Sequence, residues 1–354
     1  MPRGRTAGER GPAWLRWVTR ASIVVGLIAL SITVWAVGTE PLLEHLRAIG
    51  PWFVVLIAIE GTATFCEAGS TYLMTRGPGG PAWRKVCVAQ FAGRAVNSVT
   101  PGANLGEALK VSLLARECST QRVVAGVMFT ALASGIVAMT IVAAGSLITA
   151  IAFPIARSAS IVLLIAGAVA TVMAGGLAIL VRRGMLGSLA RTAGRLHVLS
   201  AARVARWSAR LDDVDARLRG EIRGEHRLAA ACLVVVSQLL QRGAVLVTIF
   251  ATGYTLGVPQ LIAILSAGVL LAWISNVVPL GIGVAEGGNF ALFAALGAPP
   301  SLGVALALAK RVNQIVFAAL GFGVLAADRI AERVDRVRVL PELATTTSRH
   351  AVML

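Results

Sequence analysis

Charge is the scarcest commodity in this 354-residue sequence: 14% of its residues are charged, against about 25% in soluble domains. Lysine is nearly missing, with Lys85, Lys110 and Lys310 standing beside 30 arginines. Cys66, Cys87, Cys118 and Cys232 have no metal or redox spacing and fall in or beside apolar runs; they read as inert buried thiols. His45, His197, His226 and His350 are scattered and build no metal site with them. No βαβ pattern surrounds the glycine-rich stretches, which excludes a dinucleotide loop. No nucleotide-binding motif is present, and neither a cofactor nor a metal is expected.

What the sequence has is apolar length. Hydrophobic residues make up 56% of it, mean hydropathy is +0.78, and runs of about 20 residues recur, each long enough to span a hydrocarbon core of about 30 Å. Spanning helices are expected at 18–38, 51–75, 122–150, 158–181, 229–253 and 301–327. Residues 21–37 follow five arginines (Arg3, Arg5, Arg10, Arg16 and Arg20) and resemble a signal peptide with a weak cleavage point at Ala36-Val37-Gly38. The run exceeds an h-region of about 7–15 residues, so an uncleaved first helix is expected. The net charge of +16 is not gathered on one face as nucleic-acid binding requires; it lies between apolar runs. With the N-terminus in the cytoplasm, 26 basic residues outside the membrane fall on that side and only Arg47 and Arg157 on the other. That asymmetry orients the chain with both termini cytoplasmic.

Two apolar regions, 84–116 and 260–297, are broken by Pro101-Gly102 and by Pro279-Leu280-Gly281. Non-helical backbone at membrane depth is tolerated only inside protein or beside a watery cavity. Both regions are therefore read as re-entrant hairpins, although two short full spans fit the charge distribution equally. The resulting fold class is all-α: a polytopic membrane protein of about six spans plus two broken-helix hairpins, or eight spans. Two helices, a hairpin and a third helix then occur twice in the same order, an inverted repeat of the kind transporters use. Asn97, Pro101, Gly106 and Glu107 run parallel to Asn276, Pro279, Gly281 and Glu286, with ten positions from Asn to Glu in each. The chain divides into a basic N-terminus (1–17), a membrane domain (18–327) and a cytoplasmic tail (328–354). Its loop 182–228 carries Val204, Trp207, Leu211, Val214, Leu218 and Ile222 at helical spacing among arginines. Such an amphipathic helix suits either an anionic lipid surface or the cytoplasmic ends of the bundle.

Nine charges lie within the apolar segments: Glu60, Glu67, Glu107 and Glu286 against Arg94, Lys110, Arg242, Lys310 and Arg311. Facing lipid, they would cost on the order of 20–30 kcal/mol together, so they must pair, face inward or line water. Glu60 and Glu67, seven apart, share a helix face; they fit a proton relay, a basic headgroup, or pairing with Arg94 or Arg242. Thr100-Pro101 reads as a helix start whose free amides would form an anion site. Gly102 and Gly106 allow close approach, and Glu107 reaches Lys110 one turn on. In the second hairpin Gly281, Gly283, Gly287 and Gly288 surround Glu286. The last helix carries Lys310, Arg311, Asn313 and Gln314 about halfway across. Lys110 and Lys310 fit either a titratable role or salt bridges to Glu107 and Glu286.

The stretches Asn97…Thr100-Pro101-Gly102…Gly106-Glu107-Ala-Leu-Lys110 and Pro279-Leu-Gly281-Ile-Gly283…Glu286-Gly287-Gly288 resemble the lysylphosphatidylglycerol synthase transmembrane-region family, also called the flippase-like domain family, over roughly 15–330. Ala103 stands where many relatives have glycine. In multiple peptide resistance factors such a domain moves aminoacylated phosphatidylglycerol between leaflets and precedes a soluble transferase. The tail after 328 is too short for one, so lysyl-lipid synthesis is not expected of this chain. The resemblance implies a multi-pass protein of a bacterial cell membrane, and stand-alone relatives are associated with hopanoid or glycolipid pathways. The leading expectation is a lipid translocase carrying an anionic phospholipid or lipid phosphate through a central cavity. There the helix starts with Lys110, Lys310 or Arg311 would hold phosphate, and Glu107 and Glu286 a cation or proton. The alternatives are a membrane transferase or hydrolase acting on a lipid phosphate, and a scaffold for a partner lipid-synthesis enzyme.

Overall fold

The computed structural model describes residues 39–100, 105–153, 157–183, 224–275 and 283–351. Every regular element among them is helical. In chain order they are α1 (Thr39–Ile49), a 3-10 turn (Gly50–Trp52), α2 (Phe53–Thr75), α3 (Trp83–Val99), α4 (Leu105–Leu114), α5 (Thr120–Ala152), α6 (Arg157–Arg183), α7 (Gly224–Ala251), α8 (Val258–Ser275), α9 (Val284–Ala295) and α10 (Pro300–Ala351).

Six stretches are long and apolar enough to cross a membrane: Leu43–Thr75, Thr120–Ala152, Ser160–Ile179, Glu225–Ala251, Val258–Ser275 and Pro300–Ala331. Five match expected spans. The expected span at 18–38 lies outside the described residues, as do nearly all of loop 182–228 and its amphipathic helix. The sixth, α8, was expected to be half of a hairpin. Its 18 residues reach about 27 Å, close to a full crossing, whereas α9 has 12. In the first broken region α3 has 17 residues and α4 has 10. The two first arms are thus nearly equal in length, and only α8 is apolar enough to stand among the six stretches.

The helix expected to end at 327 runs on to Ala351, 52 residues in all. At 1.5 Å per residue that is about 78 Å, so it projects well past a membrane. The loop before α2 is also helical: α1 sets Ile49 into the core beside Leu56, Val304 and Ala305, and His45 Nε2 lies 3.3 Å from Ser301 Oγ.

Packing is reciprocal between the segments that the expected repeat would pair. α2 packs on α7, its counterpart; α3 of the first half packs on α10 of the second, while α8 of the second packs on α5 of the first. Small residues make the closest approaches. A Cβ on Gly321 of α10 would collide with the Phe91 carbonyl of α3, and one on Gly106 of α4 with the Gly93 carbonyl of α3. Without a hydrophobic force between helices in lipid, such backbone proximity is what holds helices together.

The cysteines are not buried as expected. All four are free; Cys66, Cys87 and Cys118 are half-buried, and Cys232 is exposed on α7. In the turn before α5, burial pushes the Cys118 thiol up; Arg122 opposes this and Glu117 adds to it, so the thiol stays protonated at neutral pH.

Candidate functional site

α2, α3, α7, α8, α9 and α10 converge on a cavity of about 150 Å³. At about 10–15 Å³ per water in this measure, it has room for roughly ten. Seven of the predicted site residues line it: Glu60 of α2, Asn97 and Thr100 of α3, Arg242 of α7, and Lys310, Arg311 and Asn313 of α10. Gln241, Gln314 and Asn289 join them, beside apolar residues of α8 such as Leu265 and Leu271. A wall half polar and half apolar suits an amphiphile.

Six of the nine intramembrane charges form three pairs. Arg94 donates to Glu60 and to Thr64, and its guanidinium lies 4.7 Å from the Phe317 ring centre, a cation–π contact. Lys110 Nζ donates to Glu107 Oε1 at 2.8 Å. Arg311 Nη2 lies 2.7 Å from Glu286 Oε1. Glu67 is held by neutral donors instead: Gln90 Nε2 at 2.8 Å, and Ser237 Oγ and Gln241 Nε2 each at 3.2 Å. The expected pairing with arginine therefore holds for Glu60 and not for Glu67.

Arg242 and Lys310 remain. Arg242 Nη2 reaches a neutral acceptor, Gln238 Oε1, at 3.4 Å, and its Nε is buried without a partner. Lys310 faces the cavity and, among the described residues, has neither a hydrogen bond nor an ion pair. The expected Lys310–Glu286 bridge does not form, because Arg311 takes that carboxylate. Each lone cation at membrane depth costs about 2.5–3.5 kcal/mol on insertion scales; water in the cavity lowers that figure, and a bound anion lowers it further.

The two hairpin glutamates occupy equivalent places: each is the third residue of its helix, Glu107 in α4 and Glu286 in α9. Glu286 Oε2 accepts from the Gly283 N–H at 2.8 Å, the half of a capping box that a glycine permits. Gly283 has φ 79°, a conformation that favours glycine. Neither Glu107 nor Glu286 lines the cavity, and both are matched by a cation. Glu107 and Glu286, expected to hold a cation or a proton, and Lys110, expected to hold phosphate, thus stand off the cavity wall in ion pairs. Gly288 approaches Leu271 of α8.

Thr100 ends a helix instead of starting one. Its backbone is extended, φ −107° and ψ 136°, and its N–H donates to Val96 O, as does its hydroxyl at 2.7 Å. A residue before proline is driven out of the helical region, so α3 stops before Pro101. α4 resumes at Leu105, and Asn97 Oδ1 takes the Gly106 N–H at 2.7 Å. Pro101, Gly102, Asn276, Pro279 and Gly281 lie outside the described residues.

Gly93, Gln90, Ser237 and Gln241 went unnoticed in the sequence. The glutamines are polar positions in apolar runs, a signal as good as a charge. Gly93 carries none, because its value lies in facing Lys110 and Gly106.

An all-helical bundle with six stretches long and apolar enough to cross a membrane, and an internal polar cavity among them, is a polytopic membrane protein. The chain matches the lysylphosphatidylglycerol synthase TM region over residues 18–321 and belongs to that family. No match to it was found among curated proteins or among solved structures.

Proposed function

We propose that the chain is a lipid translocase: it carries a phospholipid or related amphiphile between leaflets, with the headgroup passing through the central cavity. One observation carries this reading. Both broken regions and α10 contribute polar side chains to one cavity in a bundle of membrane-spanning helices. A headgroup entering it exchanges water for Asn97, Gln241, Asn313 and the cations, while the α8 wall stays apolar. The twenty-six-to-two distribution of basic residues supports an orientation with cytoplasmic termini. The second reading, a transferase or hydrolase with a cavity carboxylate as base, would rest on Glu60, which Arg94 holds in an ion pair.

The test is leaflet exchange. Purified full-length chain in vesicles containing trace fluorescent phosphatidylglycerol, phosphatidate or phosphatidylcholine is assayed by dithionite quenching. Exchange of at least one lipid well above that of protein-free vesicles is expected. No excess for any lipid sinks the reading.

A further inference from the structure

We propose, on the basis of the translocase reading, that Arg242 and Lys310 form a seat for a phosphate monoester dianion, so the preferred cargo is a lipid with a terminal phosphate. The argument is charge matching. Glu60 is answered by Arg94 and Arg311 by Glu286. Glu107 and Lys110 answer each other off the cavity wall. Glu67 also lies off the wall, both oxygens satisfied by neutral donors. Among the described residues, two positive charges are left facing one hollow, Arg242 and Lys310. Arg242 and Lys310 line the same cavity as Glu60, whose carboxylate Arg94 already holds, so an anion entering that cavity meets two like charges.

The cargo classes separate on this count. A phosphate monoester, its second pKa about 6, brings nearly two negative charges at pH 8 and answers both cations. A phosphodiester such as phosphatidylglycerol answers one. A zwitterion brings no net charge, and an aminoacylated headgroup adds positive charge to a positive site. Arg242 offers a planar fork and Lys310 a compact ammonium, two modes of holding phosphate oxygens.

The experiment separates the seat from the transport. The full-length chain in phosphatidylcholine nanodiscs at pH 8 is titrated with fluorescent phosphatidate and with fluorescent phosphatidylglycerol. Phosphatidate is expected to bind on the order of tenfold more tightly. Lys310→Gln and Arg242→Gln each bring the ratio close to one, while Lys310→Arg preserves it. A ratio near one in the unsubstituted chain, which needs no variant to fold, overturns the proposal; so does a ratio that survives in the double Gln variant. Inorganic phosphate that displaces phosphatidate at equal concentration supports the seat and assigns it to a soluble phosphate compound; failure to compete supports the lipid headgroup. Selective binding without leaflet exchange leaves the seat standing and removes the translocase. Exchange of all lipids at one rate does the reverse.

Discussion

The two broken regions start from the same pattern and solve the same problem differently. Glu107 and Glu286 both stand third in the second arm of their region. Glu107 is answered from within its own helix, by Lys110 three residues on, and its side chain stays 28% exposed. Glu286 is answered from α10, by Arg311, and its side chain is 0% exposed. The first pair is therefore local, and forms wherever α4 is helical. The second depends on α9 and α10 being docked and clamps the second hairpin to the last helix. A cation at the right helical spacing makes a carboxylate self-sufficient; without one it becomes a tertiary contact.

Removing a glutamate is the hardest test of that difference. Glu286→Gln leaves Arg311 partly buried without its partner, and breaking a buried pair costs about 3–5 kcal/mol. Glu107→Gln removes a more exposed partner, so its thermal midpoint in detergent is expected to fall less; equal falls would erase the contrast. The exchanged pair Glu286→Arg with Arg311→Glu sharpens it. Stability should partly return, while phosphatidate binding falls because a carboxylate then replaces a cation on the cavity wall; unchanged binding would place Arg311 away from the bound headgroup.

Glycine substitutions probe the same contrast through packing. A Cβ at Gly106 meets backbone, the Gly93 carbonyl, which cannot move aside; one at Gly288 meets Leu271 Cδ2, the end of a flexible side chain. Gly106→Ala is expected to cost about 1–3 kcal/mol and Gly288→Ala less, measured by the same thermal midpoints. The smallest effect is expected at the other tie to α10. Arg84 and Lys85, at the start of α3, reach Asp328 at 3.2 Å and 2.9 Å, but the Arg84 side chain is 70% exposed. Asp328→Asn should cost about 1 kcal/mol or less. A loss matching that of Glu286→Gln would mean that both hairpins are clamped equally.

Much of the site was legible because hydrocarbon is intolerant. Charges within apolar runs must be answered, so naming all nine in advance required no coordinates, and neither did the local Glu107–Lys110 pair, whose spacing is helical. Thr100 was misread because Thr-Pro serves either end of a helix, and the decision rested on where α3 had begun. Gly93 and Gln241 were missed because their roles depend on what faces them.

The sequence by itself determined a membrane-spanning helical bundle, its break points, and the need for every internal charge to find a partner or water. Only the tertiary structure decided who pairs with whom. Lys310 and Arg311 are neighbours in the chain, but about 100° of helix rotation separates their side chains. Which of them meets Glu286, and which is left facing the cavity, follows from how α10 is turned against α9, and no pattern within a single helix encodes that.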